Sequence, residues 1–364
     1  AKLMEEWGID PVPDEPMNTK DPNTVAGRGY GFTKWGDLFN SRQKLALITF
    51  AGKVRLAYKK MIEEEYDKEY AKAIVSYLGF VATRIADTNS VICHWDGSWE
   101  KTVTTFARQA LPMNWDYIEA NVFGEKGYNF KNILDTIVLV LGKILGLSEL
   151  SPSVTQSSAT SLPYPDNYFD AVITDPPYYD NINYAELSDF FYVWLKRTIG
   201  DPYPDLFSTP LTPKSQEIVS NPVRHGDSKK AKQFFEEMIT KAFKEIYRVL
   251  KPNGIVCIVF AHKSTEAWET IINSLLKSGL VLTASWPIHT EMRKRLIARE
   301  TAALASSIYM VCRKRVKAEV AYFNEIKEKI EQRVKEKLKQ FWEQGISGAD
   351  FFVSAIGPAV EVFG

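Results

Sequence analysis

The sequence predicts an α/β protein in which helices pack on a sheet, preceded by a mainly helical N-terminal region. Residues 169–174 form a short apolar run with β-branched side chains, which is typical of a buried parallel strand. A second apolar run at residues 254–260 follows an amphipathic segment, and this order of strand, helix and strand indicates an α/β sheet. Before residue 150, apolar residues recur at helical spacing instead.

The N-terminal region divides into an arm and a set of helices. Residues 1–29 contain four prolines and many polar residues, so we expect an extended arm. Residues 30–150 are expected to be mainly helical, with helices at residues 41–65, 67–86 and 129–147. The tryptophans between these helices are expected in the core, because large aromatic side chains are mostly buried. They are Trp95, Trp99 and Trp115.

Residues 151–315 are predicted to form the α/β region. Helices are expected at residues 232–250 and 265–278, on either side of the strand at residues 254–260, and Pro252 and Gly254 are expected to close the first of these helices. A closing antiparallel pair is expected at residues 280–286 and 306–312. Residues 316–364 are predicted to be an amphipathic helix, residues 317–343, followed by a tail.

Composition limits the class of protein but not its partner. Forty-five basic residues balance 45 acidic ones, so the chain has no overall field that would attract a polyanion, and such binding would need local patches. Three cysteines without a CxxC pair, and four histidines, predict neither a disulfide framework nor a metal site. No signal peptide or membrane-length apolar run is present, so a cytoplasmic location is expected.

The strand at residues 169–174 ends in the motif Asp175-Pro176-Pro177-Tyr178. Two prolines stop the strand and remove backbone donors, so the carbonyl groups here can only accept, as does the Asp175 carboxylate. An aromatic amine offers two N–H donors to such a place, and the ring of Tyr178 offers a flat face on which its ring could lie. The same four residues also suit a plain strand-ending turn.

The stretch from Ser158 to Phe260 resembles the catalytic half of amino-methyltransferases that depend on S-adenosylmethionine (AdoMet). More narrowly, DPPYYDNINYAELSDFFYVWLKR at residues 175–197 is similar to a large prokaryotic family of adenine-specific DNA methylases. Further similar segments are YGFTKWGDLF at residues 30–39, ALPMNWD at 110–116, ASSI at 305–308 and GPAVEVF at 357–363. The resemblance therefore spans nearly the whole chain.

This resemblance implies a Rossmann-like class I methyltransferase sheet, AdoMet as cofactor and DNA as partner. It also implies roles for the four motif residues. The carboxylate of Asp175 and the carbonyl of Pro176 would accept the hydrogens of the target amine, and Pro177 would hold the loop rigid. Tyr178 would stack on a base flipped out of the duplex.

Cofactor contacts are implied in two segments. In the resembling class, a segment that precedes a helix lines the cofactor pocket, and here that segment contains Thr33, Lys34, Trp35 and Asp37. Ser158 and Thr160 lie where many relatives carry an acid that holds the adenine of the cofactor, so a hydroxyl takes the place of the acid.

The Gly-rich turn that binds AdoMet in this class is missing from the sequence. The nearest string, Phe50-Ala51-Gly52-Lys53, lies within a predicted helix and follows no strand. The sheet is therefore expected to be incomplete, without its first strands, and the strand before Asp175 would present an open apolar edge. We expect a preceding N-terminal segment or a partner subunit to supply the missing strand and turn.

Contacts with nucleic acid are predicted on two loops. One loop follows the motif and the other carries a cluster of basic residues, although loop structure and soluble surface are the alternatives. The predicted residues are Tyr179, Asn181, Tyr184, Arg293, Lys294, Arg295 and Arg299. Base stacking is also the alternative for the three tryptophans. His262, beyond the strand at residues 254–260, is expected to be a satisfied loop histidine.

Two other functions remain open at this point. An enzyme of the same class could modify RNA or cytosine, since these amines suit the same pocket. The missing Gly-rich turn favours a different class, namely a non-catalytic module that binds nucleic acid or serves as a scaffold.

Overall fold

The computed structural model describes residues 2–21, 29–146, 152–289, 306–315, 323–343, 351 and 355–362. The chain forms two units. The helical unit comprises Ala1–Ser153 and Asn183–Glu217, and the sheet unit comprises Val154–Ile182 and Ile218–Gly364. The division between Ser153 and Val154 lies close to the boundary predicted at residue 150. Residues 183–217, which the sequence analysis placed in the α/β region, belong to the helical unit. The chain therefore leaves the sheet unit just after the motif and returns to it at Ile218.

The helical unit contains five helices and a small hairpin in its described residues. The helices are α1 (Lys2–Trp7), α2 (Ser41–Glu63), α3 (Lys68–Thr88), α4 (Phe130–Ile144) and α5 (Tyr184–Ile199), and the antiparallel strands are β1 (His94–Asp96) and β2 (Lys101–Val103). A short 3-10 helix, Trp35–Leu38, precedes α2. Helix α2 packs against α3 and α5, and α3 packs against α4 and α5. The three helices predicted before residue 150 are confirmed, with ends that differ by a few residues.

The start of α2 is set by a capping box. The side chain of Asn40 accepts a hydrogen bond from the backbone N–H of Gln43, and the side chain of Gln43 accepts one from the backbone N–H of Asn40. Gly52 lies inside this helix, facing the ring of Trp7. The prediction that Phe50-Ala51-Gly52-Lys53 is helical is therefore confirmed.

The predicted extended arm is helical at its start, and the segment that follows packs around a buried side chain. Residues 2–7 form α1, and Trp7 is buried. Further along, the fully buried guanidinium of Arg197 donates to the backbone carbonyls of Asp10 and Val12 and lies 3.0 Å from the carboxylate of Glu15. The proline-rich segment packs because Arg197 satisfies carbonyl groups that an extended chain cannot pair within itself.

The three tryptophans are not in the core. Trp95, Trp99 and Trp115 are all exposed, and Trp115 keeps 77% of its surface accessible. Trp95 is on β1 and Trp99 follows in the connection to β2, in a hairpin of only two strands, which offers little surface on which large rings can be buried. Trp115 meets the ring of Tyr30 edge to face at 5.2 Å. The prediction that these rings are buried was wrong.

The sheet unit is built on a mixed sheet of four strands. They are β3 (Phe169–Thr174), β4 (Leu250–Phe260), β5 (Leu280–His289) and β6 (Ser306–Lys314), in the spatial order β3-β4-β6-β5. Strand β3 is parallel to β4, whereas β6 is antiparallel to both β4 and β5. The parallel strands and the closing antiparallel pair are both confirmed.

Helices cover one face of this sheet. They follow as α6 (Pro222–His225), α7 (Ser228–Val249) and α8 (Thr265–Ser278), and α7 packs against both α6 and α8. Alternate residues of β4, Val256, Ile258 and Phe260, lie in one apolar cluster with residues of α7 and α8. Those helical residues include Phe235, Ile239, Phe243, Trp268, Ile271 and Leu275. Helix α8 has the predicted bounds.

Strand β4 starts earlier than predicted. Pro252 and Gly254 were expected to close the preceding helix, yet they lie within the strand. The register with β3 is irregular here, because Phe169 pairs with Leu250 but Ala171 pairs with Ile255. A Cβ on Gly254 would collide with the side chain of Leu250, so glycine is required at this bulge.

Strand β3 is at the edge of the sheet and is not buried as predicted. Ile173 is 79% exposed, and Ala171 on the same face is also exposed. Val172, on the other face, packs against the apolar cluster under α7 and α8. The prediction of a strand buried on both faces is therefore wrong for the face of Ile173 within the described chain.

The C-terminal part adds α9 (Phe323–Glu343) and the short α10 (Ile356–Glu361). Helix α10 packs against β5 and α9. Across the described residues, no helix combines the length and the apolar character that crossing a bilayer requires.

Candidate functional site

The motif forms a loop at the carboxyl end of β3, which we call the acceptor loop, residues 175–180. Thr174 is the last residue of β3 and pairs with Ile258 of β4. Asp175 is exposed, and Pro176 and Pro177 are half-buried. Because ligands of open α/β sheets bind beyond the carboxyl ends of parallel strands, the acceptor loop lies at a place suited to a site.

Tyr178 is supported from the sheet. Its half-buried ring meets the ring of Phe260, the last residue of β4, edge to face at 5.5 Å. Phe260 is itself fully buried and packs edge to face on Trp268 at 4.9 Å. The orientation of Tyr178 therefore depends on the apolar core of the sheet unit.

Tyr179 is part of that core. Its side chain is buried and packs against the rings of Phe235 and His262 at centroid distances of 5.1 and 5.7 Å. Burial raises the pKa of its phenol. The backbone of Tyr179 has a φ of 60°, an uncommon value for a residue with a side chain. Two hydrogen bonds hold it: the N–H of Tyr179 donates to the carbonyl of Pro177, and the carbonyl of Tyr179 accepts from the N–H of Ser220. The predicted contact between Tyr179 and nucleic acid has no support from this burial.

Asp180 and His262 close the acceptor loop. Nε2 of His262 lies 2.9 Å from a carboxylate oxygen of Asp180, and this hydrogen bond, against partial burial, lowers the pKa of Asp180. The backbone N–H of Ser264 donates to Nδ1 of His262 at 3.0 Å. The expectation that His262 is a satisfied histidine is confirmed, and its partner lies on the acceptor loop.

Ser158 and Thr160 precede β3 in the sheet unit. Their hydroxyls lie 2.9 Å apart, and the backbone N–H of Ser161 donates to the carbonyl of Ser158. The backbone N–H of Leu162 donates to the carboxylate of Glu245 on α7. The structure thus uses these residues in a tight turn, and their contact with AdoMet remains a prediction.

The other predicted cofactor residues lie in the helical unit. The carboxylate of Asp37 accepts from the backbone N–H groups of Thr33 and Lys34 at 2.9 and 2.8 Å. Partial burial opposes ionisation of Asp37, but these two hydrogen bonds, the bond from the Thr33 hydroxyl and the charge of Lys44 together lower its pKa. Trp35 is buried and meets Phe190 at 6.4 Å, so its ring serves packing, whereas Thr33 and Lys34 are exposed.

The residues predicted to contact nucleic acid do not lie together in one unit of the described chain. Asn181 is exposed in the sheet unit, and its backbone N–H donates to the carbonyl of Tyr178. Tyr184 is exposed at the first position of α5 in the helical unit. Its neighbour Asn183 donates to the carboxylate of Asp21. The basic residues of the second predicted loop, Arg293, Lys294, Arg295 and Arg299, lie outside the described residues.

Sequence reasoning missed two residues of the site. Phe260 was expected only as a strand residue, and Asp180 was not singled out although it lies only two positions after the motif. The signal for Asp180 was its place in the loop, and the signal for His262 was its place beyond β4. Neither signal shows that residues 82 positions apart form a hydrogen bond.

Comparison with known proteins shows little similarity. No protein-family model matches the chain, and no curated protein matches it. Among solved structures, the chain is similar to the cyclase SpnF, with 18% identity over 51% of this chain and 63% of that chain. The TM-score of this match is 0.24, which is too low to support an inference about function. The α/β class with a mixed sheet follows from the strand pairing itself.

Proposed function

We propose that this chain carries the catalytic part of an AdoMet-dependent methyltransferase that acts on the exocyclic amine of adenine in DNA. The supporting observation is the acceptor loop: a carboxylate and two prolines beyond the end of a parallel strand, with the half-buried ring of Tyr178 beside them. Two N–H groups of an aromatic amine match two acceptors, and the ring matches the flat base.

The chemistry asked of these residues is orientation and polarisation. Acceptance of both amine hydrogens by Asp175 and the Pro176 carbonyl holds the nitrogen in place and leaves its lone pair directed away from the loop. AdoMet, when bound, supplies a methyl group on a sulfonium that such a lone pair can attack. As the N–C bond forms, the C–S bond breaks, and the nitrogen loses its positive charge by giving up one amine proton to solvent. The two prolines keep the acceptors from moving during this change.

The described residues of the sheet unit provide only part of an AdoMet site. A strand followed by a Gly-rich turn is absent from the described sheet, whose edge next to the acceptor loop is β3. We infer that a further polypeptide segment, preceding this chain or in a partner subunit, adds a parallel strand to β3 and brings that turn. The exposed Ile173 supports this inference, because an apolar strand with an open edge gains from a neighbouring strand.

Methyl transfer tests the proposal directly. The native assembly, meaning this chain together with the further segment or partner subunit inferred above, is incubated with labelled AdoMet and duplex DNA. The product is then digested to nucleosides. N6-methyladenine is the expected product. If N4-methylcytosine forms instead, the substrate is cytosine. If label appears in RNA alone, the substrate is RNA. Calorimetric titration with AdoMet adds a second readout, and an assembly that neither binds AdoMet nor transfers methyl would be a non-catalytic module.

Replacing Ile173 by aspartate tests the added strand. Because the side chain is 79% exposed, the unfolding free energy of the 364-residue chain should change by no more than about 0.5 kcal/mol. A neighbouring strand would place Ile173 in an apolar contact, so the variant should lose methyl transfer in the native assembly. Val154→Asp, at a highly exposed position outside the strands, is the matched control and should keep activity.

Alkylation of Cys257 provides the structural readout of the same variant. Cys257 pairs with Ile173 across β3 and β4 and is half-buried, whereas Cys93 and Cys312 are buried. Burial raises the pKa of Cys312 to about 12, so it should react only on unfolding. Cys257 should react in the isolated chain, be protected in the native assembly, and react again in assembled Ile173→Asp. Equal rates in the isolated chain and the assembly would show that the added segment leaves the sheet face of Ile173 and Cys257 uncovered.

Replacing Tyr178 by alanine tests the stacking role. Alanine substitution at a base-stacking ring removes about 1–3 kcal/mol, so binding to the target DNA should weaken, by about 5- to 150-fold. Tyr178→Phe keeps the ring and should bind nearly as well as the original protein. Tyr168→Ala removes an exposed tyrosine outside the loop and is the control. Fluorescence anisotropy with labelled duplexes measures the affinities, and equal affinity of Tyr178→Ala and the control would exclude stacking.

A further inference from the structure

His262 has a fixed orientation and a fixed tautomer. A backbone N–H can only donate, so the bond from Ser264 makes Nδ1 of His262 an acceptor. The proton of the neutral imidazole is therefore on Nε2, which donates to Asp180 at 2.9 Å. His262 is only 4% exposed, so this ring is built into the fold and directs one N–H at the acceptor loop.

The surroundings of His262 hold it from several sides. Its backbone carbonyl accepts from the indole N–H of Trp268 at 2.8 Å, and Trp268 is buried in α8. The imidazole lies against the rings of Tyr179 and Phe260, at 5.7 and 6.5 Å. These contacts pack the imidazole against the end of β4 and the start of α8, so its Nε2 is held in place beside Asp180.

The acceptor loop needs such a support. Its residue Tyr179 has a backbone conformation that is uncommon for residues with a Cβ, so other contacts must hold it. On one side of Tyr179 the N–H of Ser220 binds its carbonyl, and on the other side His262 binds the carboxylate of Asp180. Asp180 itself is half-exposed, so its bond to the rigid histidine restrains the loop more than it stabilises the core.

We propose that His262 and Asp180 are positioning residues that hold the acceptor loop in the geometry required for binding the target amine. This role rests on the proposed function for the purpose of the loop, but the restraint itself is independent of it. His262 does not touch substrate in this proposal. It acts through Asp180, two residues after the ring that would stack on the base.

Hydrogen exchange of the amides of residues 178–182 tests the restraint without any assay of activity. In Asp180→Ala, exchange of these amides should accelerate by about tenfold, the effect of losing one charge-assisted hydrogen bond. His262→Leu should have the same effect. The double variant should exchange no faster than either single variant, because both remove the same bond.

Conservative variants separate positioning from bulk and charge. The amide of His262→Gln can still donate to Asp180, and the amide oxygen of Asp180→Asn can still accept from His262, so both should retain slow exchange. His94→Gln on β1 and Asp166→Ala before β3, both outside the acceptor loop and its supporting segments, are matched controls. Because Asp180 is half-exposed, Asp180→Ala is expected to fold even if His262→Leu does not.

Activity then connects the restraint to the reaction. In an active native assembly, Asp180→Ala should lower kcat while Asp180→Asn retains it. If the original protein transfers no methyl group, the proposed function fails, while the exchange results still decide the restraint. Unchanged exchange at residues 178–182 in Asp180→Ala would overturn the inference. The inference would also be overturned if the amides of residues 178–182 exchange as fast in His262→Gln as in His262→Leu.

Discussion

Replacing Asp175 by alanine is expected to abolish most methyl transfer while leaving the protein folded. The carboxylate is one of the two acceptors proposed for the target amine, and removal of one preorganised polar group from an active site costs on the order of 10²- to 10³-fold in rate. Asp175 is exposed, so the unfolding free energy should change by no more than about 0.5 kcal/mol. Single-turnover transfer of labelled methyl groups to DNA, together with chemical denaturation, measures both quantities.

The chain offers a close control for this variant. Asp170 is an exposed aspartate on β3, the strand that leads into the acceptor loop, five positions before Asp175, and its carboxylate binds Lys251. Asp170→Ala should transfer methyl groups at close to the original rate. Asp175→Asn keeps one acceptor oxygen and should give an intermediate rate. If Asp175→Ala and Asp170→Ala have the same activity, the acceptor loop does not hold the amine and the proposed function is wrong.

Replacing Phe260 by alanine is expected to have the largest effect on stability. The ring is fully buried and packs against Tyr178, Trp268 and His262, so its removal leaves a cavity at the end of β4. Phenylalanine-to-alanine changes in cores cost about 3–5 kcal/mol of unfolding free energy. Urea denaturation followed by tryptophan fluorescence measures this loss.

Two further variants show whether the loss of unfolding free energy comes from the buried ring of Phe260. Phe260→Leu retains much of the apolar volume and should be destabilised by less than Phe260→Ala. Ile173→Ala removes an exposed apolar side chain from β3 and should change the unfolding free energy little. A small effect of Phe260→Ala would show that the sheet unit does not depend on this packing. Tyr178 would then not be supported by the core in the way that the structure indicates.

The secondary structure of this protein could be predicted from the sequence in large part. The periodicity of apolar residues predicted α8 and β3 at their observed bounds, and it predicted β4 from residue 254 to its observed end at Phe260. The closing antiparallel pair β5 and β6 was also predicted. These elements depend on local patterns of period 3.6 or 2, and such patterns survive in any fold that buries one face of each element.

The prolines were less informative. Pro252 and Gly254 suggested the end of a helix, yet they lie inside β4 at an irregular register with β3. The N-terminal prolines suggested an extended arm, and the carbonyls around them bind the buried Arg197. In both cases a distant partner satisfied backbone groups that local reasoning assumed would be solvated.

The sequence by itself determined the order of strands and helices and the composition of the acceptor loop, because both depend on neighbouring residues. Only the tertiary structure decided which side chains face solvent. It exposed Ile173 and Trp115 and buried Tyr179, against what their residue types and positions indicated. It also brought His262 to Asp180, 82 positions away. Burial and long-range pairing depend on what packs against each face of an element, and one strand's own sequence does not contain that information.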